Sequence, residues 1–159
     1  IPLALILAGS PFLVGYAKPV PVNFGRLRNP RIDSIWVALA GPGSNFFQAL
    51  IWAVLLILLV GFGIDEKFFI AMAQAGILWN LGLLVFNLFP IPPLDGGRIL
   101  ASLLPTRQSI AFGKLEPWGF FIVLGLVFTG VIGALWMEPL MAFFRGAIYL
   151  LTYPLQMLF

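Results

Sequence analysis

Neither histidine nor cysteine occurs among the 159 residues. Without cysteine there are no disulfides and no thiolate metal sites. Without histidine as well, these residues alone cannot build a zinc site of the usual nitrogen or sulfur kind. Charge is scarce too, at 9% of residues, against about a quarter in a soluble domain. A chain that is 61% hydrophobic, with runs near or beyond the roughly 20 residues that cross a bilayer, reads as a polytopic membrane protein. The expected fold is an all-α membrane helix bundle of about four to five membrane segments, one of them broken at a proline-rich turn. Residues 1–159 form a single membrane-embedded domain in this reading. The net charge of +3 is a topology signal rather than a sign of nucleic-acid binding, because the basic residues sit in short loops. Ile1 lies inside an apolar run with no charged segment before it. That is no signal peptide, and the expectation is a piece of a longer chain cut upstream.

The chain is organised around Asn87-Leu-Phe-Pro90-Ile-Pro92-Pro93-Leu94-Asp95-Gly96-Gly97-Arg98. Its prolines break the preceding helix, since each removes a backbone donor and restricts the residue before it. Gly96 and Gly97 permit a tight turn or a close backbone approach. Asp95 is therefore expected on non-helical backbone at or near membrane depth, where polar backbone must be satisfied by protein or water. An ionisable residue there is a functional candidate. From the residues alone it can bind a metal, carry a proton or cation, or simply cap a turn.

The other segments follow in order. Residues 1–16 are apolar but short. Residues 17–34 are the most polar stretch; Lys18-Pro19-Val20-Pro21-Val22-Asn23 favours extended backbone and is either a solvated loop or an edge that pairs with a peptide. Residues 35–62 are a hydrophobic segment in which Gly41-Pro42-Gly43-Ser44-Asn45 allows close helix approach. Pro42 is either the start of its main helix or a kink. Asn45 should face protein, as an interhelical hydrogen bond or part of a site. Asp65 is the expected N-cap of a span over 68–89, with Asn80 and Asn87 on one inward face. Pro117 starts a further expected span over 117–137. Trp118 and Trp136 bracket it about 27 Å apart at 1.5 Å per residue, matching aromatic belts. Residues 140–159, interrupted by Arg145, either span or lie in the interface. With these spans Glu138 falls on the side of Asp65, Glu66 and Lys67. The basic excess marks the Asp95 side as cytoplasmic.

Taken whole, Asn87, Pro90, Pro92, Leu94, Asp95, Gly96, Gly97 and Arg98 resemble the signature of the site-2 protease family of intramembrane zinc metalloproteases. The 18–23 stretch and Gly41-Pro42…Asn45 look like that family as well. Their order fits its compact prokaryotic members without a PDZ domain. The resemblance implies that Asp95 is the third zinc ligand and that two histidines of an H-E-x-x-H helix, with its glutamate as general base, lie upstream. It implies that Asn87, Pro90, Pro92, Gly96 and Gly97 support the site and that Asn45 supports substrate or the oxyanion. It also implies that Pro19, Val20, Pro21, Val22 and Asn23 hold an extended substrate segment. The substrates would be membrane proteins cut within the lipid bilayer, in a prokaryotic cell membrane. The departure is the missing H-E-x-x-H, so the chain as it stands is expected to be inactive and to represent the C-terminal portion of such a unit. A catalytically inactive relative acting as a membrane scaffold is the alternative. A transporter using Asp95 is a third reading, weakened by the lack of an internal repeat.

Overall fold

Residues 29–159 are described by the computed structural model, so the segments 1–16 and 18–23 lie outside the described residues. Helix α1 runs Pro30–Gly61, with Pro30 in the first turn, where a missing N–H costs nothing. The Asp33 carboxylate accepts the Asn29 N–H at 3.1 Å across that turn. Pro42 lies inside α1, so it neither starts the helix nor ends it. The Ser44 hydroxyl donates to the Gly41 carbonyl at 2.7 Å one residue before the proline. Helix α2 spans Lys67–Asn87; Glu66, not Asp65, occupies its cap position, with no side-chain capping bond.

Small residues let α1 and α2 approach. Ala38, Pro42, Ala49 and Ala53 form the buried stripe of α1, and Ala73, Leu81, Leu84 and Val85 that of α2. Trp52 lies over Gly76, where a Cβ would run into the indole. In lipid such contacts, rather than water exclusion, hold helices together. Most large apolar side chains elsewhere are exposed, Trp79 and Phe128 among them, as a lipid-facing surface requires.

After the proline turn come α3 (Asp95–Leu103), α4 (Thr106–Gly113) and α5 (Glu116–Phe128). Leu104 is extended because Pro105 follows it. The axes of α4 and α5 differ by 67°. A π-helical turn, Gly133–Met137, then leads into α6 (Glu138–Gln156). Three stretches are long and apolar enough to cross a membrane: α1, α2 and Gly133–Gln156; the bent α4–α5 pair makes up to four.

The expected span over 117–137 is not what the chain forms. Helix α5 stops at Phe128, and Gly130 follows with φ at 74°, a left-handed conformation suited to glycine. Trp136 lies beside Val85 and Phe89, at the C-terminal end of α2. From there the chain crosses as Gly133–Gln156, parallel to α1. Phe144 stacks on Phe46, Ile148 packs with Ala49 and Ala53, and Phe159 meets Phe62 at the far end. Glu138 therefore sits at the Asp95 end of the bundle, and Trp118 and Trp136 do not bracket one helix. Most of the 140–159 segment belongs to Gly133–Gln156, a stretch long and apolar enough to cross a membrane.

Candidate functional site

The site begins with a helix that cannot continue. Pro90 has no N–H for the Phe86 carbonyl four residues back. The Phe89 N–H takes that carbonyl instead, at 3.1 Å, which withdraws it from Val85. The indole of Trp136 donates to the Val85 oxygen at 2.9 Å, and the Phe89 ring packs edge-on against the same indole at 5.4 Å. The π-helical turn places Trp136 there. Such a bond contributes about 1 kcal/mol net. Trp136→Phe, which keeps the ring and loses the N–H, is expected to lower the stability of the purified protein by about that amount. Trp136→Ala, which also removes the packing against Phe89, should cost more than Trp136→Phe. Equal denaturation midpoints for the Phe variant and the native protein would count against this link.

The turn is compact. Ile91 N–H bonds the Phe89 carbonyl at 2.8 Å and Leu94 N–H the Ile91 carbonyl at 3.1 Å; the Pro92–Pro93 peptide is cis. Leu94 is extended, and Asp95 is the first residue of α3. Asp95 thus sits on the first turn of a helix and not on irregular backbone, a position that favours a carboxylate. Gly96 and Gly97 serve close approach within that helix rather than a turn. A Cβ on Gly96 would run into the Leu88 carbonyl, and one on Gly97 into the Ile91–Pro92 peptide. Gly119 of α5 does the same on the other side of the turn, where a Cβ would overlap the Pro92 carbonyl oxygen. Three glycines on two helices therefore grip the proline turn by its backbone.

Held this way, the Asp95 carboxylate lies against α1. A Cβ on Gly41 would stand 3.0 Å from its Oδ2. Gly41→Ala should therefore displace the carboxylate by a few tenths of an ångström, and the position of Asp95 in a structure of that variant is the readout. Asp95 also lines a cleft of about 360 Å³ with Pro92, Arg98, Ser34, Ser102 and Glu116 around it. Burial raises the carboxyl above its ordinary pKa, and the Arg98 charge draws it part of the way back. Beyond the cleft, Arg31 donates to the Thr106 hydroxyl, tying the start of α1 to the start of α4.

The residues expected from sequence divide accordingly. Asp95, Pro92 and Gly97 line the cleft, and Gly96 packs beneath them. Asn87 ends α2 and Pro90 lies in the turn, both half-buried. Asn45 is one turn beyond Gly41 on the same face of α1, about 6 Å further along the axis, and does not line the cleft. Asn80 donates to the Gly76 carbonyl of its own helix at 2.8 Å. Pro19–Asn23 lie outside the described residues. Gly41, Gly119 and Trp136 enter the site without having been expected there. Only the glycine next to Pro42 carried a signal, as a place for close helix approach.

The donor set fits one position of a zinc site and no more. A carboxylate oxygen is an ordinary zinc donor, and catalytic sites need three protein ligands. Among the described residues no three of His, Cys, Asp or Glu gather closely enough to hold a metal.

The comparisons with known proteins agree with this picture. Residues 64–130, which carry the proline turn and Asp95, match the model of Peptidase family M50. The chain is 34% identical over 139 residues to "Putative zinc metalloprotease YwhC" of Bacillus subtilis, covering 84% of this chain and 63% of that protein. It is 32% identical over 147 residues to "Putative zinc metalloprotease Rip2" of Mycolicibacterium smegmatis, covering 91% of this chain and 53% of that protein. The chain thus spans between half and two thirds of the length of these curated relatives. No solved structure matches it. The helical membrane fold, the proline turn and the matched segment agree, and over that segment the chain matches peptidase family M50, the site-2 protease family.

Proposed function

We propose that the complete protein is an intramembrane zinc endopeptidase that cleaves membrane-spanning segments of other proteins, and that these residues supply its third zinc ligand, Asp95. One observation carries the reading. A half-buried carboxylate is fixed by three glycines and a proline turn and opens into a cleft at one end of three apolar spans. A merely structural aspartate would not need backbone-to-backbone packing on both sides of its turn.

Two histidines from an upstream helix would complete the ligand set. When bound, zinc supplies an activated water and polarises a carbonyl. The chain's own residues do the rest. The α2 terminus and α3 fix the direction of the carboxylate, and Gly41 leaves it room against α1. Arg98 balances its charge, and the polar rim of Ser34, Ser102 and Glu116 keeps water at the cleft while the spans hold lipid away. Among the described residues Arg31, Arg98, Arg107 and Lys114 lie in segments at the Asp95 end, against Lys67 at the other. That bias supports a cytoplasmic orientation for Asp95 in a prokaryotic cell membrane.

The test uses the complete protein in liposomes with a membrane-spanning substrate. Cleavage within the spanning segment, lost on zinc chelation and restored by added zinc, is the expected result. Binding of the substrate helix without cleavage, in a complete chain whose upstream histidines are replaced, would favour a scaffold instead.

A further inference from the structure

Helix α4 and the residue after it carry Arg107, Ile110, Ala111 and Lys114 at positions i, i+3, i+4 and i+7, which make one helical face. Lys114 belongs to that face because it keeps helical dihedral angles just past the last turn. All four side chains are exposed, Ile110 by 64%. Ser109 and Phe112, on the other side of the helix, are half-buried. The exposed face therefore holds an apolar pair between two cations about 10 Å apart along the axis. From Gly96 to Leu115 the sequence contains Arg98, Arg107 and Lys114 and no acid.

The fold sets the depth of this face. Helix α1 has 32 residues, about 48 Å at 1.5 Å per residue, against a hydrocarbon core of about 30 Å. Its charged first turn, with Arg31 and Asp33, thus stands among the headgroups. Arg31 donates to the Thr106 hydroxyl, so α4 starts at that level. Gly113, at its other end, shares a cleft with Ser34 of α1. Trp36 of α1 and Trp118 of α5 are both exposed close by, as in an aromatic belt. The 67° bend before α5 keeps α4 from running on along the axis of that helix.

At this depth the face has a use. Ile110 is ill suited to water, and Arg107 and Lys114 are ill suited to hydrocarbon. At the boundary the apolar pair and the basic stems lie along the acyl chains while the charged heads reach outward. What meets them there is phosphate, and two cations with no acid among them favour lipids of net negative charge. We infer that α4 is an in-plane interfacial helix whose Arg107–Lys114 face docks on the phosphates of anionic phospholipids in the leaflet on the Asp95 side. The site lies on α4 itself and is independent of whether Asp95 binds zinc.

The experiment puts a fluorophore on the complete protein at Ala111→Cys, with any other cysteine changed to serine. The protein is held in phosphatidylcholine vesicles with increasing fractions of phosphatidylglycerol or phosphatidylcholine spin-labelled near the top of the acyl chain. Half-maximal quenching should need about twentyfold less labelled phosphatidylglycerol than labelled phosphatidylcholine. Arg107→Gln and Lys114→Gln should each reduce that preference about fivefold, and the double variant should remove it, with unchanged helical circular dichroism. Lys67→Gln, at the other end of the bundle, should leave it as it is. Equal quenching by the two lipids would overturn the proposal, as would a preference that survives the double variant. Absence of quenching by either lipid would show the face covered by protein and overturn it too. Loss of the preference on adding glycerol phosphate at constant ionic strength would assign the site to a soluble phosphate instead.

Discussion

Asp95→Ala in the complete protein is expected to abolish proteolysis. On the proposed reading, loss of the carboxylate would remove one of three zinc ligands, so the fall should exceed the roughly 10- to 100-fold produced by changing residues that only support a ligand. Asp95→Asn is the more informative variant. It keeps the shape that fits against Gly41 and loses the charge, so a structural role would survive it and a ligand role would not. Asp95→Glu should fare little better. Its oxygens reach one methylene further, and Oδ2 already stands where a Gly41 Cβ would be only 3.0 Å away; a misplacement of about 1 Å at a reacting centre costs on the order of a hundredfold. Rates on a membrane-spanning substrate, set beside the circular dichroism of each variant, decide the matter. Retained cleavage by Asp95→Asn would sink the assignment.

Gly119→Ala should destabilise the protein, although alanine is the better helix former. The new methyl would overlap the Pro92 carbonyl oxygen, which is backbone and cannot rotate away. Forcing α5 off the turn should cost about 1–3 kcal/mol, and activity should fall with it, because the same turn carries Asp95. Gly125 supplies the control. It lies in the same helix with nothing within 4 Å of its would-be Cβ. Gly125→Ala should therefore be neutral or stabilising by up to about 1 kcal/mol. Denaturation of both variants in one detergent reads the difference directly. If the two glycines behaved alike, the backbone grip on the proline turn would be wrong.

Hydropathy was enough to read the membrane class and most of the helices, because lipid imposes long apolar runs whatever the tertiary arrangement. The proline turn was legible for a similar reason: missing N–H groups act locally. Asp95, singled out from the sequence, does line the cleft, but its backbone is not the irregular one expected. Pro92 and Pro93 suggested continued irregularity, whereas the helix restarts at the aspartate, where a carboxylate suits the first turn. The misplaced span over 117–137 has a clear cause. Tryptophan spacing matched a bilayer thickness, yet Thr129-Gly130 carried the real boundary, and a lone glycine in an apolar run is a weak stop signal. The correction moves Glu138 to the Asp95 end and makes Gly133–Gln156 the third span. Contacts between distant segments, such as Gly41 with Asp95 or Trp136 with Val85, have no local signature and needed the fold.

The central claim is that Asp95 is a zinc ligand of a larger site. Zinc content measured on the purified complete protein, native and Asp95→Asn side by side, tests it most directly. About one zinc per native chain and a marked loss in the variant, with the helical content of both unchanged, is the predicted result. Equal zinc in the two proteins, or none in either after loading, would contradict it.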